Sequence, residues 1–226
     1  MTATETLARK TREGVPFREV VERALLAYAT PMSHETTGTR SASIGAGLEN
    51  LIAVTNKRYE QLGFGCVIKN ELRRSVINGR LIFKQKQTVD FGGYLAEIGF
   101  VAFDAKTTRE TNWSPANQAL HQLCYLLRGQ REMRTQYGED RRVWRGRFFY
   151  LLEHRELDTS RGALAEKSTV YLVEDLEALV DRGRYEFREE DRMGCGEQGV
   201  LLDYRAKLLG EAPYAKYVTR ARRPAQ

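Results

Sequence analysis

Apolar positions along the chain change period several times, and each change marks an element. In residues 17–28 (FREVVERALLAY), Val20, Val21, Leu25 and Leu26 fall on one helical face. Residues 1–15 are polar, and 30–43 (TPMSHETTGTRSAS) are rich in Ser, Thr and Gly, as in a flexible link. A second helix is predicted over residues 44–62, with Leu48, Leu51, Ile52, Thr55 and Tyr59 as its apolar stripe and Glu49 near its start. The pattern then becomes strand-like: 63–68 reads as a buried strand, Asn78-Gly79 as a hairpin turn, and 81–84 and 89–95 as further strands. Phe100-Val101-Ala102-Phe103 is a short apolar strand running into Asp104-Ala105-Lys106. Residues 115–128 return to helical spacing, with Ala119, Leu120, Leu123 and Leu127 inward. Residues 147–152 (RFFYLL) and 169–173 (TVYLV) are strands, and a helix starts at 174–180. This order predicts an α/β or α+β sheet core flanked by helices, without internal repeats or a second core domain.

Composition narrows the setting. With 226 residues, 42% hydrophobic, the chain can bury one sizeable core. No run of about 18 apolar residues is present to span a membrane, and the N-terminus lacks the apolar stretch of a signal peptide, so a cytoplasmic location is expected. Cys66, Cys124 and Cys195 are widely spaced and odd in number, which fits a reducing compartment. The net charge of +6 is a mild bias, but its placement is uneven. Residues 69–86 carry Lys69, Arg73, Arg74, Arg80, Lys84 and Lys86 against the single acid Glu71. The last residues add Lys216, Arg220, Arg222 and Arg223, and arginines dominate 128–147. Such clusters neutralise phosphates, although a basic tail by itself reads more simply as a solvated end.

Candidate chemistry centres on Asp90 and the triplet Asp104-Ala105-Lys106. Both acids sit in apolar strand sequence, where an unpaired charge is costly. If the strands are neighbours the acids face one point, and strand alternation puts Lys106 on the side of Asp104. Two hard carboxylates suit Mg²⁺, and a lysine beside them can act on an attacking water. The spacing is that of the PD-(D/E)XK nucleases, yet the plain reading of such a short pattern is two surface acids and a lysine. Glu49, on the preceding helix, reads by itself as an exposed acid. His34, His121 and His154 have no zinc-type spacing, and no Gly-rich phosphate loop occurs. Trp113 and Trp144 suit base stacking, a core or a subunit interface.

Motifs in collinear order over residues 44–209 are more specific. Gly47-Leu48-Glu49 with Asn56 and Tyr59, Gly65-Cys66-Val67-Ile68-Lys69, Thr88-Val89-Asp90-Phe91-Gly92-Gly93, Phe103-Asp104-Ala105-Lys106-Thr107-Thr108, His121-Gln122 and Leu201-Leu202-Asp203-Tyr204 together resemble the RecU family of Holliday-junction resolvases. The resemblance implies a restriction-endonuclease-like mixed β-sheet core flanked by helices, with a protruding basic β-stalk. It divides the chain into an N-terminal extension and linker (1–43), a nuclease domain (44–210, stalk about 70–86) and a basic C-terminal tail (211–226).

It also implies roles. Asp90 and Asp104 are metal ligands with the Ala105 carbonyl, Glu49 completes the acidic cluster, Lys106 acts on water, and Gln122 lines the site. Thr88 orients substrate or a metal-bound water, and Lys69, Arg73, Arg74, Arg80, Lys84 and Lys86 contact DNA. The implied cofactor is Mg²⁺, with Mn²⁺ as a substitute. The implied partners are four-way DNA junctions, a second copy in a homodimer, and recombination or branch-migration proteins. Two departures stand out: Asp104 replaces the family's usual Glu, and Lys69-Asn70-Glu71-Leu72-Arg73 replaces a Lys-Pro-Thr-Pro-like stalk start. The alternatives to a resolvase are a sequence-specific or host-defence endonuclease with the same chemistry, and a catalytically silent junction-binding protein.

Overall fold

The computed structural model describes residues 15–27, 46–70, 74–77, 80–83, 89–115, 120–137, 146–158, 165–195 and 202–210. Its centre is a six-stranded sheet in the order β1 (Gly65–Lys69), β4 (Phe91–Leu95), β5 (Gly99–Thr108), β7 (Gly146–Asp158), β8 (Ala165–Val173) and β10 (Arg192–Cys195). The β5–β7 pair is parallel and every other pair is antiparallel. A parallel pair needs a crossover, and α3 (Leu120–Tyr137) supplies it. The sheet is therefore mixed, as the α/β reading expects. Outside it, β2 (Arg74–Ile77) and β3 (Arg80–Phe83) pair as a two-stranded ribbon with Ile77 opposite Arg80, and the turn read at Asn78-Gly79 lies outside the described residues. Two short strands, β6 (Asn112–Trp113) and β9 (Tyr185–Glu186), form another pair.

Strand alternation gives the sheet two cores. On one face α1 (Phe17–Ala27), α3 and α4 (Leu176–Arg182) cover Ala102, Phe148, Tyr150, Leu152 and Val173. On the other, α2 (Ala46–Gln61) and α5 (Tyr204–Leu209) cover Phe91, Val101, Phe103, Phe149, Leu151 and Leu172. The stripe read for α2 is the buried one, with Leu48, Ile52, Thr55 and Tyr59 inward. α1 departs from its reading. Val20, Val21 and Ala24 are buried, but Leu26 is 77% exposed, because the helix meets α3 and α4 along a narrower stripe. α1 also lies in the 1–43 segment that the sequence division sets apart as extension and linker, yet its apolar face belongs to the core.

α3 begins at Leu120 and continues past Arg128 to Tyr137, nine residues beyond the helix read from spacing. Ion pairing supports the longer helix: Arg131 reaches Glu22 on α1 and Glu177 on α4 at 2.7 Å each. The position predicted at Ala119 lies outside the described residues. Gly129 brings α3 close to the sheet, since a Cβ there would sit 2.2 Å from the Phe148 ring. Trp113 is a core residue, 1% exposed, and Trp144 lies outside the described residues.

The Asn56, Tyr59 and Leu202-Asp203-Tyr204 motifs hold one another. The Tyr204 hydroxyl donates to Asn56 Oδ1, and the Tyr59 hydroxyl donates to Asp203 Oδ1 at 3.0 Å while accepting from the Arg205 amide at 3.1 Å. Asp203 also caps α5 by accepting from the Ala206 amide. These residues clasp α5 onto α2, which gives them a structural role.

Candidate active site

The register between β4 and β5 places Phe91 opposite Phe103, so Asp90, one residue earlier, stands beside Asp104. The bend before β4 is pinned by Asn70, whose amide donates to the Asp90 carbonyl at 2.7 Å and whose side chain donates to the Val89 carbonyl at 3.1 Å. Next to it β4 lies tight against β1, where a Cβ at Gly93 would stand 2.1 Å from the Cys66 carbonyl oxygen. This accounts for the glycine that follows Asp90 by three residues.

Asp104 lies between β4 and β7 and under α3, with no solvent exposure. Its Oδ1 accepts from Gln122 Nε2 on α3 at 2.5 Å. The Lys106 ammonium forms an ion pair with Oδ2, although that oxygen has no aligned hydrogen-bond donor. The same ammonium is 3.9 Å from Asp90 Oδ2 and donates to the Ala105 carbonyl at 3.4 Å. Asp90 Oδ2 in turn accepts from the Ala105 amide at 3.0 Å. Two carboxylates and one carbonyl thus surround a single positive charge. Burial drives the Asp104 carboxyl well above the usual carboxylate range, and the Asp90 charge beside it pushes the same way, against the pull of Lys106. The pair therefore carries more negative charge than its surroundings readily hold. This donor set fits a hard divalent cation: oxygen ligands only, partly shielded from water, with a built-in lysine at the same point.

The structure brings Asp90, Asp104, Ala105, Lys106 and Gln122 together. Glu49 has a different partner. Its carboxylate is paired with Lys69 at 2.5 Å on the α2 side of the sheet. No group of three or more His, Cys, Asp or Glu side chains placed to hold a metal ion occurs among the described residues. The physical reason is proximity: Lys69 shares the Phe91 face that α2 covers, so the helix acid finds a base before it reaches the buried pair. Lys69, expected as a DNA contact, is occupied by the same bond. Arg74 and Arg80 lie on β2 and β3, whereas Arg73, Lys84, Lys86 and Thr88 fall outside the described residues. His154 is buried and stacked on Phe187 at 4.3 Å, and His121 sits partly exposed on α3.

Sequence reasoning missed Tyr150. It is paired with Asp104 in the β5–β7 register, fully buried, and packed against Trp113 at 4.9 Å. Within RFFYLL its sole signal is a hydroxyl among Phe and Leu. Strand-to-strand register, which the local pattern does not encode, is what carries it to the site.

Residues 43–135 match the family model described as RecU, Recombination protein U. The matched segment contains Asp90, Asp104, Ala105, Lys106 and Gln122 and stops before β7. No curated protein matches the chain.

Proposed function

From the match of residues 43–135 to the RecU family model, we propose that the chain is a divalent-metal-dependent endonuclease that resolves four-way DNA junctions by paired, symmetric nicks. The observation that carries this reading is the convergence of Asp90, Asp104 and the Ala105 carbonyl on one cationic point.

Asp90 and Asp104 would hold the metal together with the Ala105 carbonyl oxygen, and Mg²⁺ is the expected ion, with Mn²⁺ as a substitute. When bound, it supplies Lewis-acid stabilisation of charge developing on the scissile phosphate. Gln122 keeps the Asp104 carboxylate turned toward the site by donating to Oδ1. Lys106, released from Asp104 Oδ2, presents Nζ to the attacking water and orients its lone pair at phosphorus. Burial of Asp104 under α3 keeps bulk water from competing for these positions.

Two symmetric nicks need two copies related by a two-fold axis, so the working unit is a homodimer. The basic segment 70–86, which includes β2 and β3, is the part assigned to the junction centre, with phosphate contacts from Arg73, Arg74, Arg80, Lys84 and Lys86. A cytoplasmic setting alongside recombination or branch-migration proteins follows from that role. No described helix is long and apolar enough to cross a membrane.

The test is incubation of labelled four-way junction and linear duplex with and without Mg²⁺. Paired nicks in the junction alone are expected, with Asp90→Asn and Lys106→Ala slowed by about 10³-fold or more while junction binding persists. Cleavage of duplex at defined sequences would reassign the protein as a sequence-specific or host-defence endonuclease. Junction binding without cleavage in either Mg²⁺ or Mn²⁺ would make it a silent binder.

A further inference from the structure

In the layer between β5, β7 and α3 the Tyr150 hydroxyl lies buried without a hydrogen bond, next to Asp104, whose Oδ2 has the Lys106 ion pair but no aligned donor. The two residues are paired in the parallel β5–β7 register, so both side chains leave the sheet on the same face, as neighbours. A buried hydroxyl without a partner is costly, and phenylalanine would fill the same volume without that cost. Packing therefore explains the ring of Tyr150 but not its oxygen.

The surroundings restrict what that oxygen can serve. Trp113 packs on the ring at 4.9 Å and fixes its plane. Cys124 and the charges of Asp104 and Asp90 are the titratable neighbours that act on the phenol. Cys124 is a poor partner, because burial holds its thiol protonated, pushed up to about 12. Gln122 spends its amide on Asp104 Oδ1. A donor without an acceptor thus stands next to an acceptor without an aligned donor.

We propose that Tyr150 is a positioning residue for the metal site: its hydroxyl, together with the Gln122 amide, sets the orientation of the Asp104 carboxylate toward the cation. This rests on the metal site at Asp90 and Asp104 proposed above. Groups that hydrogen-bond a ligating carboxylate typically change metal affinity by 10–100-fold. Tyr150 also lies outside the segment matched to the family model, so the β7 half of the fold contributes to a site otherwise built from residues 90–122.

The experiment titrates Mn²⁺ into the full-length wild type, Tyr150→Phe, Gln122→Ala, the double variant and Asp90→Asn, reading free Mn²⁺ by electron paramagnetic resonance without DNA. Melting temperatures are recorded in metal-free buffer alongside. Tyr150→Phe is expected to bind Mn²⁺ about tenfold more weakly with an unchanged or higher metal-free melting temperature. The double variant is expected to lose less than the product of the single losses, since both side chains act on one carboxylate. Wild-type Mn²⁺ affinity in Tyr150→Phe would overturn the proposal and leave the metal site standing. A fall in its metal-free melting temperature would also overturn it, by showing the hydroxyl to be structural. If the wild type fails to bind Mn²⁺, or Asp90→Asn binds it equally well, the metal site itself is wrong and this inference falls with it.

Discussion

Phe103 and Asp104 are consecutive residues of β5 that live in opposite chemistries. Phe103 points to the α2 face, stacked between Phe91 at 5.1 Å and Phe149 at 4.8 Å, with Tyr204 at 5.3 Å. Asp104 points to the α3 face and meets Asp90, Lys106, Gln122 and Tyr150. The first environment is filled by dispersion and apolar burial. The second holds charge that the interior resists. The difference shows how one strand supports a reactive centre: alternate positions lock β4, β5 and β7 together through ring stacking, and the positions between them can then carry unfavourable groups without the strands moving apart. The core on one face compensates for strain on the other.

The sharpest way to break this comparison is to neutralise the charged side. Asp104→Asn is expected to lose cleavage by about 10³-fold or more and to raise the metal-free melting temperature by a few degrees. The sign follows from burial. The folded carboxyl titrates above its unfolded value, so the ionised form opposes folding at neutral pH, and a neutral isostere removes that cost. A drop in melting temperature would show that the Asp104–Lys106 pair is a net stabiliser and would erase the contrast.

The converse change, Phe103→Ala, opens a cavity in the ring stack and is expected to cost about 3–5 kcal/mol of stability in urea unfolding. Residual cleavage by the folded fraction should fall as well, because β4 loses its anchor beside Asp90. Full activity in that fraction would mean that the two faces are independent.

A third test uses a different charge cluster, one that is half-exposed and fully partnered. Arg131 bonds Glu22 and Glu177, and Arg18 bonds Glu177 at 3.0 Å and Asp181 at 2.5 Å, joining α1, α3 and α4. Hydrogen bonds from Arg131 hold the Glu22 and Glu177 carboxyls below their ordinary range, against a smaller opposing effect of burial. Their folded values are depressed, so their contribution is complete above the unfolded range near about 4.3 and fades as pH falls through the lower folded values. Arg131→Ala should therefore cost about 1 kcal/mol at pH 7, screened by solvent, and progressively less as pH is lowered below about 4.3 in paired denaturant titrations. A cost that does not change with pH would assign the role of Arg131 to its aliphatic stem.

Much of this was legible from the residues in order. Asp90 and Asp104-Ala105-Lys106 carry their own signal, since charge inside apolar strand sequence demands a reason, and Gln122 was placed by its motif. The α2 stripe followed from helical spacing alone. What escaped depends on distance along the chain. Tyr150 reaches Asp104 through a parallel register spanning 46 positions, and Trp113 becomes core through the same strand. For Glu49 the helix is as read, but spacing alone does not say that its acid pairs with Lys69. Leu26 followed the helical period yet faces solvent, because the neighbours that decide how wide a stripe is buried come from α3 and α4.

The bare backbone of Gly129 has a mechanical meaning for this site. Seven residues separate it from Gln122, about 10 Å along a stiff rod, and the rod rests on the Phe148 ring at one end and meets Asp104 at the other. α3 behaves as a beam whose seat height is set at position 129. Added bulk there acts as a shim, tipping the beam and changing the clearance at a carboxylate it never touches. The tolerances of the reaction centre are thus held partly by a residue that has no side chain.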